Sequence, residues 1–283
     1  MKALIIGADS LIGAALAGRL SAAGHEVLRT SRRGSPGTIP FNMAHAVQNQ
    51  RLPAVDIAYL LAGITSQAAC EANPDLSRTV NVSHTIALAE GLVAAGSRVA
   101  IVSTNLVLDD SRPLAPVEAP RHPQGLYAAQ KAEVEIALLE LGDQAAILRI
   151  TKLAETLAPL LSRWRSSLLV GETIEAFSDL VCAPLPLETV TSALQRIGER
   201  RLSGILQLGA TPDISYVDIA MLLADEIGAP PERIQPIDSR SRGIVLASRP
   251  HHTTLETGRT EAVLDLSAPD SRMVVQCLVR SLV

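Results

Sequence analysis

The 283-residue sequence is poor in cysteine and has no long apolar runs. Cys70, Cys182 and Cys277 are widely spaced and odd in number, which argues against a disulfide framework and against a zinc site. No window of about 18 apolar residues exists, so we expect no transmembrane helix. Asp9 interrupts the apolar run that begins at Ala3, too early for a secretory signal. These absences predict a cytoplasmic protein without a membrane or metal partner.

Basic runs and aromatic residues are also scarce. The net charge is -4 and no stretch is strongly basic, which argues against nucleic acid as the main partner. Hydrophobic residues make up 47% of the chain, yet only two phenylalanines, one tryptophan and three tyrosines are aromatic. The core must therefore consist mainly of Leu, Val, Ile and Ala.

Apolar runs and helical spacings alternate along the first 150 residues. Ala3 to Ile6 reads as a strand, and the apolar spacing from Leu11 to Leu20 is typical of a helix. The pattern continues with strands at 26–29, 57–61, 98–102 and 145–150 and helices at 79–95 and 126–141. Such alternation predicts an α/β fold, a doubly wound parallel sheet of the Rossmann type.

The alternation weakens after residue 150, where nine prolines interrupt it. Helical spacing is still visible at 187–197 and at 216–227, and Ser215 is a suitable N-cap for the second of these helices. We therefore predict a dinucleotide-binding domain over 1–150 and a smaller C-terminal α/β substrate lobe over 151–283, with some later segments returning to the first domain.

A glycine turn, Gly7-Ala8-Asp9-Ser10-Leu11-Ile12-Gly13, joins the first strand to the first helix. In doubly wound folds a dinucleotide pyrophosphate binds at this place, against the N-terminus of the helix. Gly7 permits the tight turn and Gly13 permits close packing of the helix, whereas Ser10 stands where a third glycine is usual. An ordinary strand-turn-helix connection is the alternative interpretation.

The segment Arg29-Thr30-Ser31-Arg32-Arg33 ends the second predicted strand and contains no carboxylate. An acidic residue at this place holds the ribose 2'-hydroxyl of NAD, whereas an arginine accommodates the 2'-phosphate of NADP. The segment therefore favours NADP over NAD, unless the arginines merely belong to a solvent-exposed loop.

Tyr127 and Lys131 lie four residues apart on a predicted helix, which places them on one face. A phenol has a pKa of about 10 and is a poor acid at neutral pH, but a neighbouring cation lowers that pKa. The pair is therefore a candidate for proton transfer.

The order of these motifs resembles the extended short-chain dehydrogenase/reductase family, and within it the dTDP-4-dehydrorhamnose reductase group of sugar-nucleotide-modifying enzymes. The resemblance covers most of residues 1 to 150 and rests on the following segments: 7–13, 61–63, Asn81, Ser103 to Asp109, and Tyr127 to Lys131 with Glu135. It implies that Thr104, Tyr127 and Lys131 are catalytic, with Asn81 in support, and Ser103 is the nearest rival of Thr104. The cofactor-binding residues that we expect are Gly7, Ser10, Leu11, Ile12, Gly13, Thr30, Ser31, Arg32, Asn42, Met43, Ala62, Gly63, Ser103, Tyr127 and Lys131.

The resemblance also distinguishes among activities. Related dehydratases carry Asp-Glu directly after the threonine, whereas this chain has Asn105-Leu106, which can neither donate nor accept the required protons. We therefore expect an NADPH-dependent reductase of a small-molecule carbonyl substrate, such as a keto-sugar nucleotide, with Tyr127 as the proton donor. An epimerase and a non-catalytic NADP-binding regulatory protein remain alternatives. Relatives often dimerise, so a homodimer is possible.

Two residues of the second lobe are candidates for substrate binding. Trp164, between two arginines, either stacks on a nucleobase or packs a helix against the core. Ser248-Arg249-Pro250, with Leu255 after it, is similar to an Arg-Pro segment of the reductases, so Arg249 either contacts a diphosphate or is a surface residue.

Overall fold

The computed structural model describes residues 1–47, 52–241, 243 and 249–282. The strands are β1 (Lys2–Ile6), β2 (Glu26–Ser31), β3 (Ile39–Pro40), β4 (Ile57–Leu60), β5 (Arg98–Thr104), β6 (Ala145–Ile150), β7 (Ile174–Phe177), β8 (Val181–Cys182), β9 (Gly204–Leu208), β10 (Ile214–Ser215) and β11 (Ile234–Ile237). The helices are α1 (Leu11–Ala22), α2 (Gln67–Ala72), α3 (Pro74–Arg78), α4 (His84–Ala94), α5 (Leu126–Leu139), α6 (Ala158–Leu169), α7 (Leu187–Glu199), α8 (Tyr216–Ile227), α9 (Gly258–Leu264) and α10 (Ser271–Arg280).

Seven parallel strands form the main sheet, in the spatial order β3-β2-β1-β4-β5-β6-β9. The chain builds outward from β1 to β3 and then continues on the other side of β1 with β4. This reversal is the topological switch point of a doubly wound fold, where a crevice opens at the carboxyl ends of the strands. The predicted Rossmann-type α/β fold is confirmed.

Alternate residues of β1 pack against opposite faces of the sheet, as the period of a strand requires. Ala3 and Ile5 belong to an apolar core shared with α1 and α7, whereas Leu4 and Ile6 belong to a core shared with α4 and α5. All four side chains are buried, which explains why the strand is a continuous apolar run.

The second lobe has its own apolar core, formed mainly by α6, α8 and α10. Two small sheets border it: β7 pairs with β11, and β8 pairs with β10. Strand β9 lies in the main sheet beside β6, and α7 packs on the face of that sheet with α1. The division at residue 150 stays a prediction. No helix in the described part of the chain has both the length and the apolar character needed to cross a membrane.

Candidate active site

A cavity of about 660 Å³ opens at the carboxyl ends of β4, β5 and β6, next to the turn that follows β1. Parallel strands present their carboxyl ends at one edge, so the cavity lies at the place where doubly wound folds bind ligands. Its volume is typical of sites for small molecules and cofactors. The lining residues come from segments on both sides of residue 150 in the sequence.

The structure brings many of the predicted site residues to this cavity. The cavity is lined by Ser10, Leu11, Ile12, Ala62, Gly63, Asn81, Ser103, Thr104, Tyr127 and Lys131. The other predicted residues are described but do not line it: Gly7, Gly13, Thr30, Ser31, Arg32, Asn42, Met43, Trp164 and Arg249. The proposed catalytic residues and the glycine turn therefore share one cavity.

The turn after β1 depends on Gly7. Its φ is +92°, and a Cβ atom there would lie 2.7 Å from the backbone nitrogen of Ala62. The Ser10 hydroxyl donates to the Gly7 carbonyl at 2.8 Å and accepts from the Gly13 amide at 3.0 Å, which makes Ser10 the N-cap of α1. Thr30 is buried beneath the turn, where its hydroxyl accepts from the Gly7 amide at 3.1 Å.

A carboxylate does lie beside the end of β2: it is that of Asp9, which belongs to the glycine turn after β1. The Ser31 hydroxyl donates to Asp9 at 2.6 Å, and the Ser35 hydroxyl donates to the other oxygen of Asp9 at 3.4 Å. Arg32 and Arg33 are exposed beside them. The cofactor prediction used only the residues of the β2 segment, so it missed Asp9. In a doubly wound fold the glycine turn after β1 lies beside the end of β2, so Asp9 could have been included.

Ser103 and Thr104 differ in the use of their hydroxyl groups. The buried Ser103 hydroxyl donates to Glu135 at 2.6 Å. The Thr104 hydroxyl forms only long hydrogen bonds, accepting from the Leu106 amide at 3.3 Å and donating to Asn105 at 3.4 Å. Thr104 can therefore give up its bonds to a bound carbonyl more readily, which favours it over Ser103.

Tyr127 and Lys131 lie in the first two turns of α5, which begins after Gly125. The Lys131 ammonium donates to the Val102 carbonyl at 2.8 Å, and burial lowers the pKa of Lys131 to about 8. Burial raises the pKa of Tyr127 to about 12, and a smaller effect of Cys70 acts in the same direction. The expected lowering of the Tyr127 pKa by Lys131 is therefore wrong, because burial dominates. A phenol that keeps its proton at neutral pH remains suited to proton donation.

Asn81 lies in a π-helical turn, Thr79–Ser83, directly before α4. Its side-chain oxygen accepts from the Ile64 amide at 2.8 Å, and its nitrogen donates to the Ile64 carbonyl at 2.9 Å and to Gln130 at 2.8 Å. Asn81 thus connects the segment after β4, next to Gly63, with α5. It supports the cavity wall rather than acting as an acid or base.

Two proposed substrate contacts are not supported. Trp164 is only 7% exposed and packs in the core of the second lobe, so the stacking role is wrong and the packing alternative describes it. Arg249 lies beside the cavity, where its Nε donates to Ser239 at 3.0 Å, and Ser239 donates to Asp179 at 2.6 Å. Only its neighbour Pro250 lines the cavity, and Ser248 lies outside the described residues.

Asn42 and Met43 do not line the cavity and instead contact neighbouring residues of the protein. The Asn42 side-chain oxygen accepts from the Ala44 amide at 3.0 Å. Met43 is buried in the core shared with α4 and α5. Their predicted contact with a cofactor therefore has no support from the cavity as described.

The second lobe supplies lining residues that the sequence analysis did not select, among them Lys152, Cys182, Tyr216 and Thr253. Lys152 could have been found, because it follows β6 by two residues and the ends of parallel strands face the crevice. The other three are brought in by the small β8-β10 sheet and by a distant loop, and no local pattern indicates them.

The fold and the cavity define an NAD(P)-dependent oxidoreductase of the extended short-chain dehydrogenase/reductase type. The family model described as "RmlD substrate binding domain" matches residues 1–283, so the chain belongs to this family. The resemblance inferred from the sequence is thereby confirmed.

Individual relatives agree with this assignment. The chain is 23% identical over 247 residues to a dTDP-4-dehydrorhamnose reductase of Mycobacterium tuberculosis, covering 84% of this chain and 79% of the relative. It is 25% identical over 206 residues to methionine adenosyltransferase 2 subunit beta of Bos taurus, covering 68% of this chain and 60% of the relative. The crystal structure of dTDP-4-dehydrorhamnose reductase from Bacillus anthracis in complex with NADP matches with a TM-score of 0.79 at 17% identity, over 99% of each chain.

Proposed function

We propose that the protein uses NADPH to reduce a carbonyl group, and that its substrate is a keto-sugar nucleotide. The observation that carries the proposal is that Thr104, Tyr127 and Lys131 line the same cavity as Ser10 to Ile12 of the glycine turn. The relatives named dTDP-4-dehydrorhamnose reductase support the choice of substrate class.

The residues at the turn fit a dinucleotide. Gly7 keeps its backbone free of a Cβ where the chain approaches Ala62, and the N-terminus of α1 faces the cavity at Leu11 and Ile12. The amide groups of a helix N-terminus favour a negatively charged pyrophosphate. When bound, the reduced nicotinamide supplies a hydride.

The roles of the side chains follow from the charge that develops on the carbonyl oxygen during reduction. Tyr127 donates its proton to that oxygen, and Thr104 stabilises the same oxygen with a hydrogen bond. Lys131 is held by the Val102 carbonyl and offers its remaining N–H groups to the cofactor and to the phenolate that Tyr127 becomes.

The test is NADPH consumption in a screen of 4-keto sugar nucleotides and simpler carbonyl compounds. We expect Tyr127→Phe to lose at least about 100-fold in rate, the scale of a general acid contribution, while it still binds NADPH. Tyr59→Phe is the matched control, because the Tyr59 hydroxyl donates to the Leu194 carbonyl of α7 and Tyr59 does not line the cavity. Full activity of Tyr127→Phe would show that another group delivers the proton.

We propose further that NADP is preferred over NAD, on the basis of the exposed Arg32 at the end of β2. Asp9 opposes this preference, since its carboxylate would repel a 2'-phosphate near Ser31. Calorimetry with NADPH and NADH tests both effects. Arg32→Ala should weaken NADPH binding more than NADH binding. Asp9→Asn should strengthen NADPH binding relative to NADH binding. Tighter binding of NADH than of NADPH to the natural protein would reverse the preference.

Binding of NADP without turnover is the second candidate function. The likeness to methionine adenosyltransferase 2 subunit beta, whose name denotes a subunit of another enzyme and not a reductase, supports this candidate. It would gain support if NADPH bound tightly and no carbonyl compound were reduced. An epimerase is a third possibility, which copurification of tightly bound NAD would favour. The cytoplasmic location and the homodimer stay predictions.

A further inference from the structure

The cavity carries an uneven set of charges. Among the described residues that line it, the charged ones are Lys131 and Lys152, and none is acidic. The Lys131 ammonium donates to the Val102 carbonyl. Lys152 follows β6 by two residues, and its side chain is exposed. The charge that the lining side chains present to the cavity is therefore positive.

The backbone around Lys152 is held in place. The Lys152 carbonyl accepts from the Leu185 amide at 2.8 Å, and the Leu185 carbonyl accepts from the Ala154 amide at 3.0 Å. The hydroxyl of the preceding Thr151 donates to the Ala183 carbonyl at 2.5 Å. These bonds fix the Cα position of Lys152, so its flexible side chain reaches toward a ligand from a defined point on the cavity rim.

Two carboxylates, Asp213 and Glu155, already accept hydrogen bonds from other groups. Asp213 accepts hydrogen bonds from the Thr253 amide at 3.0 Å and from the Thr253 hydroxyl. Glu155 accepts from the Leu187 amide at 3.0 Å. Within the described part of the chain, the Lys152 ammonium forms no hydrogen bond or ion pair at the distances that define these contacts. Its three donors thus remain available to a ligand.

Arg249, which the sequence suggested for this purpose, is less suitable. The Arg249 Nε donates to Ser239, and Ser239 donates to Asp179. The positive charge of Arg249 also interacts with the Asp179 carboxylate and contributes to lowering its pKa. The Arg249 side chain does not line the cavity. The guanidinium therefore anchors Arg249 itself to Ser239, whereas Lys152 offers a cation within the cavity.

We propose that Lys152 binds a phosphoryl group of the substrate and is the main determinant of affinity for that group. This inference rests on the proposed function, because it assumes that the substrate occupies the part of the cavity next to Thr104 and Tyr127. The phosphoryl group has two possible sources, the diphosphate of a sugar nucleotide and the monophosphate of a sugar phosphate.

Calorimetry on the full chain, saturated with NADP⁺, tests the proposal with dTDP, UDP and glucose 1-phosphate as probes. We expect Lys152→Gln to weaken binding of the preferred probe about tenfold, as the loss of a charge-assisted hydrogen bond implies, and Lys152→Arg to retain most of it. Lys2→Gln is the matched control, since Lys2 is an exposed lysine that pairs with Glu26 on β2. The nucleotide probes and the sugar phosphate distinguish the two sources.

Three results would overturn the proposal. The first is equal probe affinity of Lys152→Gln and the natural protein. The second is binding of the probe only when NADP⁺ is left out, which would place the phosphoryl group at the glycine turn instead. The third is no binding of any probe. NADPH binding and NADPH oxidation, measured separately, test the proposed function: their absence would refute the reductase, even where a Lys152-dependent phosphoryl site is found.

Discussion

Burial acts in opposite directions on the pKa values of Tyr127 and Lys131 in the candidate active site. It raises the pKa of Tyr127 to about 12 and lowers that of Lys131 to about 8. In both cases the low dielectric favours the neutral form. At neutral pH the tyrosine therefore keeps its proton, while the lysine is still largely charged and sits within one pH unit or so of losing its charge.

The lowered pKa of Lys131 predicts how stability depends on pH. An unfolded chain has an ordinary lysine pKa of 10.5, so between about 8 and 10.5 the unfolded state binds more protons than the folded state. The free energy of unfolding should therefore contain a term that rises with pH across this window, worth at most about 3 kcal/mol. Lys131→Met should lack this term. Tyr127 contributes in the opposite direction, but only above about pH 10.

Urea denaturation at several pH values between about 7 and 10 measures this difference in slope. Lys2→Met provides the comparison, because Lys2 is exposed and forms a surface pair with Glu26, so its loss should leave the slope unchanged. Parallel stability curves for the natural protein and Lys131→Met would show that Lys131 titrates normally.

At the scale of elements, the sequence identified segments with strong periodicity. The strand at 145–150 and the helix at 216–227 have the predicted bounds, and Ser215 caps the latter with a capping box to Asp218. The helix predicted to end at 141 ends at Leu139. In these segments the local sequence pattern and the tertiary packing favour the same structure, so the bounds of the helices and strands can be predicted from the sequence.

Elsewhere the structure depends on contacts that are distant in sequence. The predicted helix at 79–95 begins as a π-helical turn, within which Asn81 bonds to Ile64 and Gln130. The short strand β11 contains Pro236 and exists through its pairing with β7. At the site, the triad residues could be read from local motifs. The Asp9 to Ser31 bond required the fold. The arginines beside Trp164 suggested a nucleobase contact, whereas Trp164 lies on the buried face of an amphipathic helix.

The π-helical turn gives the next prediction. Asn81→Ala removes the side-chain hydrogen bonds to Ile64 and Gln130 that join the segment after β4 to α5, and we expect a loss of about 2 to 3 kcal/mol in the free energy of unfolding. NADPH affinity should fall as well, since Gly63 and Ile64 line the cavity.

Asn73→Ala is the control for Asn81→Ala. Asn73 caps the short α3 through the Leu76 amide at 3.2 Å, so this substitution should lower the free energy of unfolding by about 1 kcal/mol and leave NADPH affinity unchanged. Equal effects of both variants on NADPH affinity would contradict the supporting role of Asn81.

At the scale of the whole molecule, one buried polar network joins the main sheet to the loops that border the cavity. Glu135 and Arg149 form a bidentate ion pair with distances of 2.8 and 3.0 Å, and both side chains are at most 1% exposed. Arg149 also donates to Gln207 and to the Val117 carbonyl, each at 3.0 Å. Gln207 in turn donates to the carbonyls of Ala115 and Glu256.

The network also sets the ionisation of Glu135 and the position of Ser103. Burial alone would raise the pKa of Glu135, but its hydrogen bonds and the charge of Arg149, with Ser103 and Arg121, bring the pKa below its usual value. The carboxylate therefore stays charged across the neutral range. Its stabilising effect is present above the ordinary glutamate pKa and is lost as the pH falls through the lowered value.

Removal of one partner from this network should destabilise the protein strongly. We expect Glu135→Ala to cost about 3 to 5 kcal/mol in the free energy of unfolding, because it leaves the Arg149 guanidinium buried without its counter-ion. Replacement of both partners, as in Glu135→Leu with Arg149→Met, should recover part of that loss, since two apolar side chains leave no buried charge. Urea denaturation measures the free energy of unfolding of both variants.

Glu133→Ala is the control, two residues away on α5. It removes only an exposed ion pair with Arg78, so it should have a small effect on the free energy of unfolding. If Glu135→Ala were no more destabilising than Glu133→Ala, the ion pair would not hold the sheet and the cavity loops together.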